Sequence, residues 1–82
     1  MGFIFGKYGI YVEFNDGEKG FVMGVRGDHV MITSSFQNAE KFMTQSAAEN
    51  YFYNKGVGSG SNSNFSGVKA AWVYSDVKYF RM

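Results

Sequence analysis

Helical periodicity occurs once in this chain, and that limits its architecture more than any other feature. Phe36, Ala39, Met43, Ala47 and Tyr51 recur at spacings of three and four, the apolar stripe of an amphipathic helix. Elsewhere the apolar residues alternate with polar ones or gather in short aromatic and β-branched runs, as strands do. A lone helix covers one face of a sheet and leaves the other without a layer of its own. Aromatic or apolar residues on that second face are candidates for a contact surface.

Composition fits this reading. Leucine, proline and cysteine are absent, while 9 Phe, 6 Tyr and 1 Trp bring the aromatic share to 20%. Leucine favours helices and the rings and valines favour strands, so the balance leans towards β structure. The 82 residues suit one domain spanning 1–82. A core of that size is thin, and small domains often add disulfides or a structural metal. With no Cys and His29 as the single histidine, neither aid is expected, which leaves aromatic packing or self-association.

Along the chain, Ile10, Val12 and Phe14 alternate with Tyr11 and Glu13, which predicts a half-buried first strand over Tyr8 to Phe14. Asn15-Asp16-Gly17 supplies a turn, because these residues tolerate positive φ. Lys19 to Arg26 reads as a second strand, Gly27-Asp28 as a turn, and His29 to Thr33 as a short third strand, giving a meander. Ser34 and Gln37 have capping-box spacing at the start of the helical stretch, while Thr44 offers an alternative cap for a second helical segment. The helix should end near Lys55-Gly56. Residues 56–67 are nearly all Gly, Ser and Asn and read as a flexible surface loop. Val68 to Phe80 then forms one last strand, with Trp72, Tyr74 and Phe80 on one face and Val73, Val77 and Tyr79 on the other. The expected class is α+β: an antiparallel sheet of about four strands in the order β-β-β-α-β, with one helical segment on one face. The last strand either extends an edge or pairs beside the first, and pairing beside the first is favoured.

Several function classes lose support. No apolar run approaches a membrane span of ~20 residues, so no membrane association is expected. Met1 to Lys7 lacks the basic leader and long apolar stretch of a signal peptide, which makes the cytoplasm the default location. The net charge of +1 gives weak general attraction to nucleic acid. His29 has only Asp28 near it as a further metal ligand and reads as structural. No Gly-x-Ser-x-Gly elbow is present, and the carboxylates are scattered. Gly56-Val57-Gly58-Ser59-Gly60 follows a helix and precedes a strand, the reverse of a phosphate-binding loop. Arg26-Gly27-Asp28 and Asn64-Phe65-Ser66 match a cell-adhesion tripeptide and a glycosylation acceptor, but a turn and a non-secreted chain explain both better. The sequence therefore predicts no enzyme, no cofactor and no metal site.

Residues Asn38 to Glu49 carry an Ala-x-x-Phe-x-Thr-x-x-x-Ala pattern through Ala39, Phe42, Thr44 and Ala48. In this they resemble small phage and bacterial accessory proteins of β-hairpin–helix–strand type, some of which inhibit host defences such as CRISPR–Cas effectors. The long Gly/Ser/Asn loop and the extra strand before the helix depart from that pattern. The resemblance implies a small binding protein acting on a host protein or complex in the host cytoplasm, and it assigns no functional residue.

If Ile10 and Val12 face the helix, Tyr11 points away from it; if Val73 and Val77 do, Trp72, Tyr74 and Lys78 point away too. Tyr11, Trp72, Tyr74 and Lys78 are thus the candidate partner-binding residues, since Tyr and Trp anchor many protein contacts. A reversed register would instead bury Trp72. Two further readings stand beside protein binding. One is a single-stranded nucleic-acid binder that stacks bases on Tyr11, Trp72 and Tyr74, with Lys69, Lys78 and Arg81 near the backbone. The other is a homo-oligomer that uses the aromatic face in self-association.

Overall fold

The computed structural model describes residues 6–26, 29–55 and 67–82, and these form a five-stranded antiparallel sheet with one α-helix against one face. The elements are β1 (Gly9–Phe14), β2 (Lys19–Arg26), β3 (His29–Thr33), a 3₁₀ turn at Phe36–Asn38, α1 (Gln45–Lys55), β4 (Val68–Ser75) and β5 (Lys78–Arg81). Strand order is β3-β2-β1-β4-β5, so the first strand is central and β4 lies beside it, as the sequence favours. The stretch 56–66 and the turn at Gly27-Asp28 lie outside the described residues.

The alternation in β1 produces two unlike faces. Ile10 and Val12 are fully buried beneath α1, joined by Val22 from β2, Ala71 and Val73 from β4, and Ala48 and Phe52 from the helix. Burying an aliphatic side chain of this size contributes about 1.5–3 kcal/mol, so Ile10, Val12, Val22 and Val73 hold the two layers together. The β1–β2 turn closes through Gly17, at φ 96°, whose N–H donates to the Phe14 carbonyl at 3.0 Å.

The path from β3 to α1 differs from a single helix starting at Ser34. Paired residues of β1 and β2 run only as far as Tyr11↔Phe21. Beyond that point residues 39–42 enter. The Glu40 N–H donates to the Val22 carbonyl at 2.9 Å, and Phe42 and Tyr8 exchange backbone hydrogen bonds at 2.8 and 3.2 Å. These bonds give strand-type partners to backbone groups that a continuous helix would have used. Ala39 is accordingly extended, at φ −81° and ψ 161°. Helical spacing across this segment therefore does not become a helical face: Met43 is 67% exposed. The helix begins after Thr44, whose Oγ1 accepts the Ala47 N–H at 3.0 Å. Of the two caps offered by the sequence, Thr44 is the one that caps the α-helix.

The second difference lies in the last strand. Val68 to Phe80 is not one strand but a hairpin, with Ser75 paired to Lys78 and only Asp76 and Val77 between them. Both turn residues have positive φ, 53° and 57°, as the two-residue turn matching strand twist requires. The reversal changes which side chains share a face. Tyr79 stands opposite Tyr74, and Phe80 opposite Val73, the reverse of a continuous strand. The sheet has five strands for this reason.

Candidate functional site: an aromatic sheet face

The site lies on the face opposite α1. β1 contributes Tyr11, β2 Phe21, β4 Trp72 and Tyr74, and β5 Tyr79, all brought together by strand register. Phe36 joins them from the 3₁₀ turn. Its ring packs 5.5 Å from Phe21 and 4.7 Å from Tyr74, centroid to centroid. Gly9 makes this approach possible, because a Cβ there would come within 2.5 Å of the Phe36 ring. Sequence spacing had put Phe36 on the helical stripe; the extended segment after it leaves its ring on the other side of the sheet.

Six rings form one contiguous patch. Tyr11 contacts Phe21 at 4.9 Å, Tyr79 at 5.4 Å and Trp72 at 5.9 Å, and Tyr74 contacts Phe21 at 5.0 Å and Tyr79 at 4.9 Å. Interplanar angles run from 53° to 76°, so edges meet faces. Each such pair contributes about 0.5–1.5 kcal/mol beyond area burial. Phe21 is buried among its neighbours at 8% exposure, whereas Tyr79 is half exposed. The patch has a packed centre and an accessible rim.

Cations sit at both ends of this ring chain. The Arg81 guanidinium lies over Trp72 at 5.4 Å from the centroid, and the Lys41 ammonium over Phe36 at 4.6 Å. Lys41 also donates to the carbonyls of Phe36, Gln37 and Ala39 at 2.6, 3.1 and 2.9 Å, which holds the 3₁₀ turn against the sheet. Along another edge half-buried Glu13 and exposed Lys69 form a pair at 3.8 Å. Burial pushes the Tyr79 phenol above its ordinary range, with Tyr74 and Tyr11 adding to the shift. At neutral pH Tyr79 therefore offers a neutral hydroxyl at the rim.

Of the four residues proposed from sequence, Tyr11, Trp72 and Tyr74 lie together here. Trp72 is half-buried within the patch, and the helix-side core contains Val73 in its place. Lys78 does not join them. The Asp76–Val77 turn pairs it with Ser75, on the helix side of the sheet. Phe21, Phe36, Tyr79 and Arg81 complete the patch and were not assigned to it from sequence as partner-binding residues. Only the tolerance of Asp76 for positive φ hinted at the hairpin that places Tyr79 and Arg81.

Among the described residues no helix is long and apolar enough to cross a membrane. No protein family, curated protein or solved structure matches the chain.

Proposed function

We propose that this chain is a non-catalytic binding protein whose six-ring face docks on a partner protein. The observation that carries the reading is a contiguous aromatic patch on the sheet face opposite the helix, already locked by edge-to-face packing. Rings held in this way lose little conformational entropy on binding, a property of interface anchors. The Arg81 guanidinium at one end matches a partner surface with an apolar centre and a carboxylate beside it. The similarity to phage accessory proteins extends the proposal: the partner is a host protein or complex, a CRISPR–Cas effector being one candidate, met in the host cytoplasm.

The same geometry weighs against base stacking. A stacked base needs an open ring face, and of the rings in that reading Trp72 already has Arg81 over one of its faces. Lys41 is also committed to three carbonyls, which leaves little charge for phosphates.

The test is capture of a defined host complex by the immobilised chain from nuclease-treated lysate. Tyr79→Ala and Trp72→Ala should each weaken capture at least about 30-fold, the loss of a ~2 kcal/mol anchor, with circular dichroism unchanged. Lys78→Ala, on the other side of the sheet, should retain it. Capture that survives both ring substitutions refutes the reading. Oligonucleotide binding that declines steeply with salt would point to nucleic acid instead. A concentration-dependent oligomer abolished by Tyr79→Ala would assign the face to self-association.

A further inference from the structure

Backbone pairing limits what can lie on the ring face. Phe21, Tyr11, Trp72 and Tyr74 stand on β2, β1 and β4, the three interior strands of the sheet. The backbone groups of those strands are engaged by neighbours on both sides, so a segment crossing the face cannot join it as a further strand. Side chains must hold it. Tyr11, Tyr74 and Tyr79 bring phenol O–H donors and Trp72 an indole N–H. Tyr79 is half exposed and keeps its phenol proton at neutral pH, which puts one donor at the accessible rim. The six ring residues carry no carboxylate or carboxamide, the strong side-chain acceptors for a ligand's N–H groups. Neighbouring rings meet at 53–76°, so the surface is ridged and not flat.

A matching ligand has free carbonyls, few N–H groups and compact apolar rings for the clefts. A helix does not offer this, because its carbonyls are bonded internally. A polyproline II segment does: it has no internal hydrogen bonds, and its prolines have no N–H to strand against the aromatic rings. Prolyl rings lie between angled aromatic rings with C–H groups against the negative faces. The stiffness of such a segment lowers the entropy lost on binding. Arg81 gives the site a direction. It lies over Trp72 on the exposed edge strand β5, where it suits a carboxylate flanking the prolines. The chain has no proline of its own, so a second copy of it cannot supply the ligand.

On the basis of the docking role of this face, we propose that it binds a proline-rich segment of the partner in polyproline II conformation. Tyr79 donates to a ligand carbonyl, and Arg81 pairs with an acidic residue beside the prolines.

Trp72 is the only tryptophan, so its emission reports binding at the patch itself. The full chain is titrated with an acetylated hexaproline–diglutamate amide. A saturable change is expected, and a Gly/Ser hexamer carrying the same glutamates should bind at least about tenfold more weakly. Exchanging the glutamates for lysines should weaken binding to the parent about fivefold and leave binding to Arg81→Ala unchanged. Tyr79→Phe, which keeps the ring and loses the donor, should weaken the proline peptide about fivefold with circular dichroism unaltered. Equal affinity for the Gly/Ser peptide, or unaltered affinity in both Tyr79→Phe and Arg81→Ala, would overturn the proposal. So would constant Trp72 emission at millimolar peptide. In that case, partner capture that still depends on Tyr79 would keep the docking face and remove only its proline ligand. Capture indifferent to Tyr79→Ala and Trp72→Ala would remove both.

Discussion

Val77 shows how a single residue can oppose the fold it belongs to. It sits at φ 57° with its side chain 78% exposed, so a β-branched residue occupies the left-handed region without packing in return. That region costs a side-chain-bearing residue about 1–2 kcal/mol, part of which glycine would return as greater freedom of the unfolded chain. Val77→Gly should stabilise the protein by about 0.5–1 kcal/mol, seen as a higher urea midpoint at unchanged slope. A lower midpoint would mean that the turn is not in this conformation. Tyr51 gives a residue-scale effect of pH. Burial, and then the nearby Glu40 carboxylate, raise its phenol above the ordinary value of 10.0. Below that value both folded and unfolded chains keep the proton, and stability does not depend on it. Above it the unfolded chain ionises first, so stability is lost as pH rises towards the folded value. Urea midpoints should therefore fall above pH ~10, and Tyr51→Phe should lessen the fall. An equal fall in both proteins would remove Tyr51 as a contributor.

At the level of elements, legibility depended on whether local signals had tertiary competitors. The β1 pattern of Ile10 and Val12 against Tyr11 appears unchanged in the structure, because one face is buried and register is thereby imposed. The stripe from Phe36 to Tyr51 was less informative. Its first part is drawn into backbone bonds with Val22 and Tyr8, and only the part after Thr44 becomes helix. No local pattern announces those long-range bonds. The β4–β5 turn was hidden for another reason: Asp76-Val77 contains no glycine, the usual mark of a two-residue hairpin. Three of the four proposed site residues were nonetheless placed together, since Tyr11, Trp72 and Tyr74 all precede that turn; Lys78 follows it and was misplaced. The cap at Thr44 is testable by itself. Loss of its hydroxyl leaves the Ala47 N–H without that partner, so Thr44→Ala should cost about 1 kcal/mol in chemical unfolding while Thr44→Ser keeps most of it. Equal midpoints for the alanine variant and the parent would show that the cap contributes nothing.

For the whole molecule, stability should follow the order of the strands. β1 is hydrogen-bonded on both sides, to β2 and β4, and α1 packs chiefly on β1 and β4. Of the four largest fully buried side chains, Ile10, Val12 and Val73 belong to those two strands and Val22 to β2. β5 is a four-residue edge strand with every residue exposed, and its charged Lys78 and Arg81 suit an edge kept from pairing with other chains. The ring face therefore spans regions of unequal strength: Tyr11, Trp72 and Tyr74 stand on the firm centre, and Tyr79 and Arg81 on the weak margin. Local opening requires less free energy where few buried contacts must be broken. Native-state hydrogen exchange should find the slowest amides in β1 and β4 and the fastest strand amides in β5, with Tyr79 and Arg81 exchanging well before Tyr11 and Val12. A partner seated across all six rings would couple margin to centre and should slow exchange in β5 more than in β1. Protection of β5 equal to that of β1 in the free protein would contradict the order, and complex formation that leaves β5 exchange unchanged would remove Tyr79 from the contact.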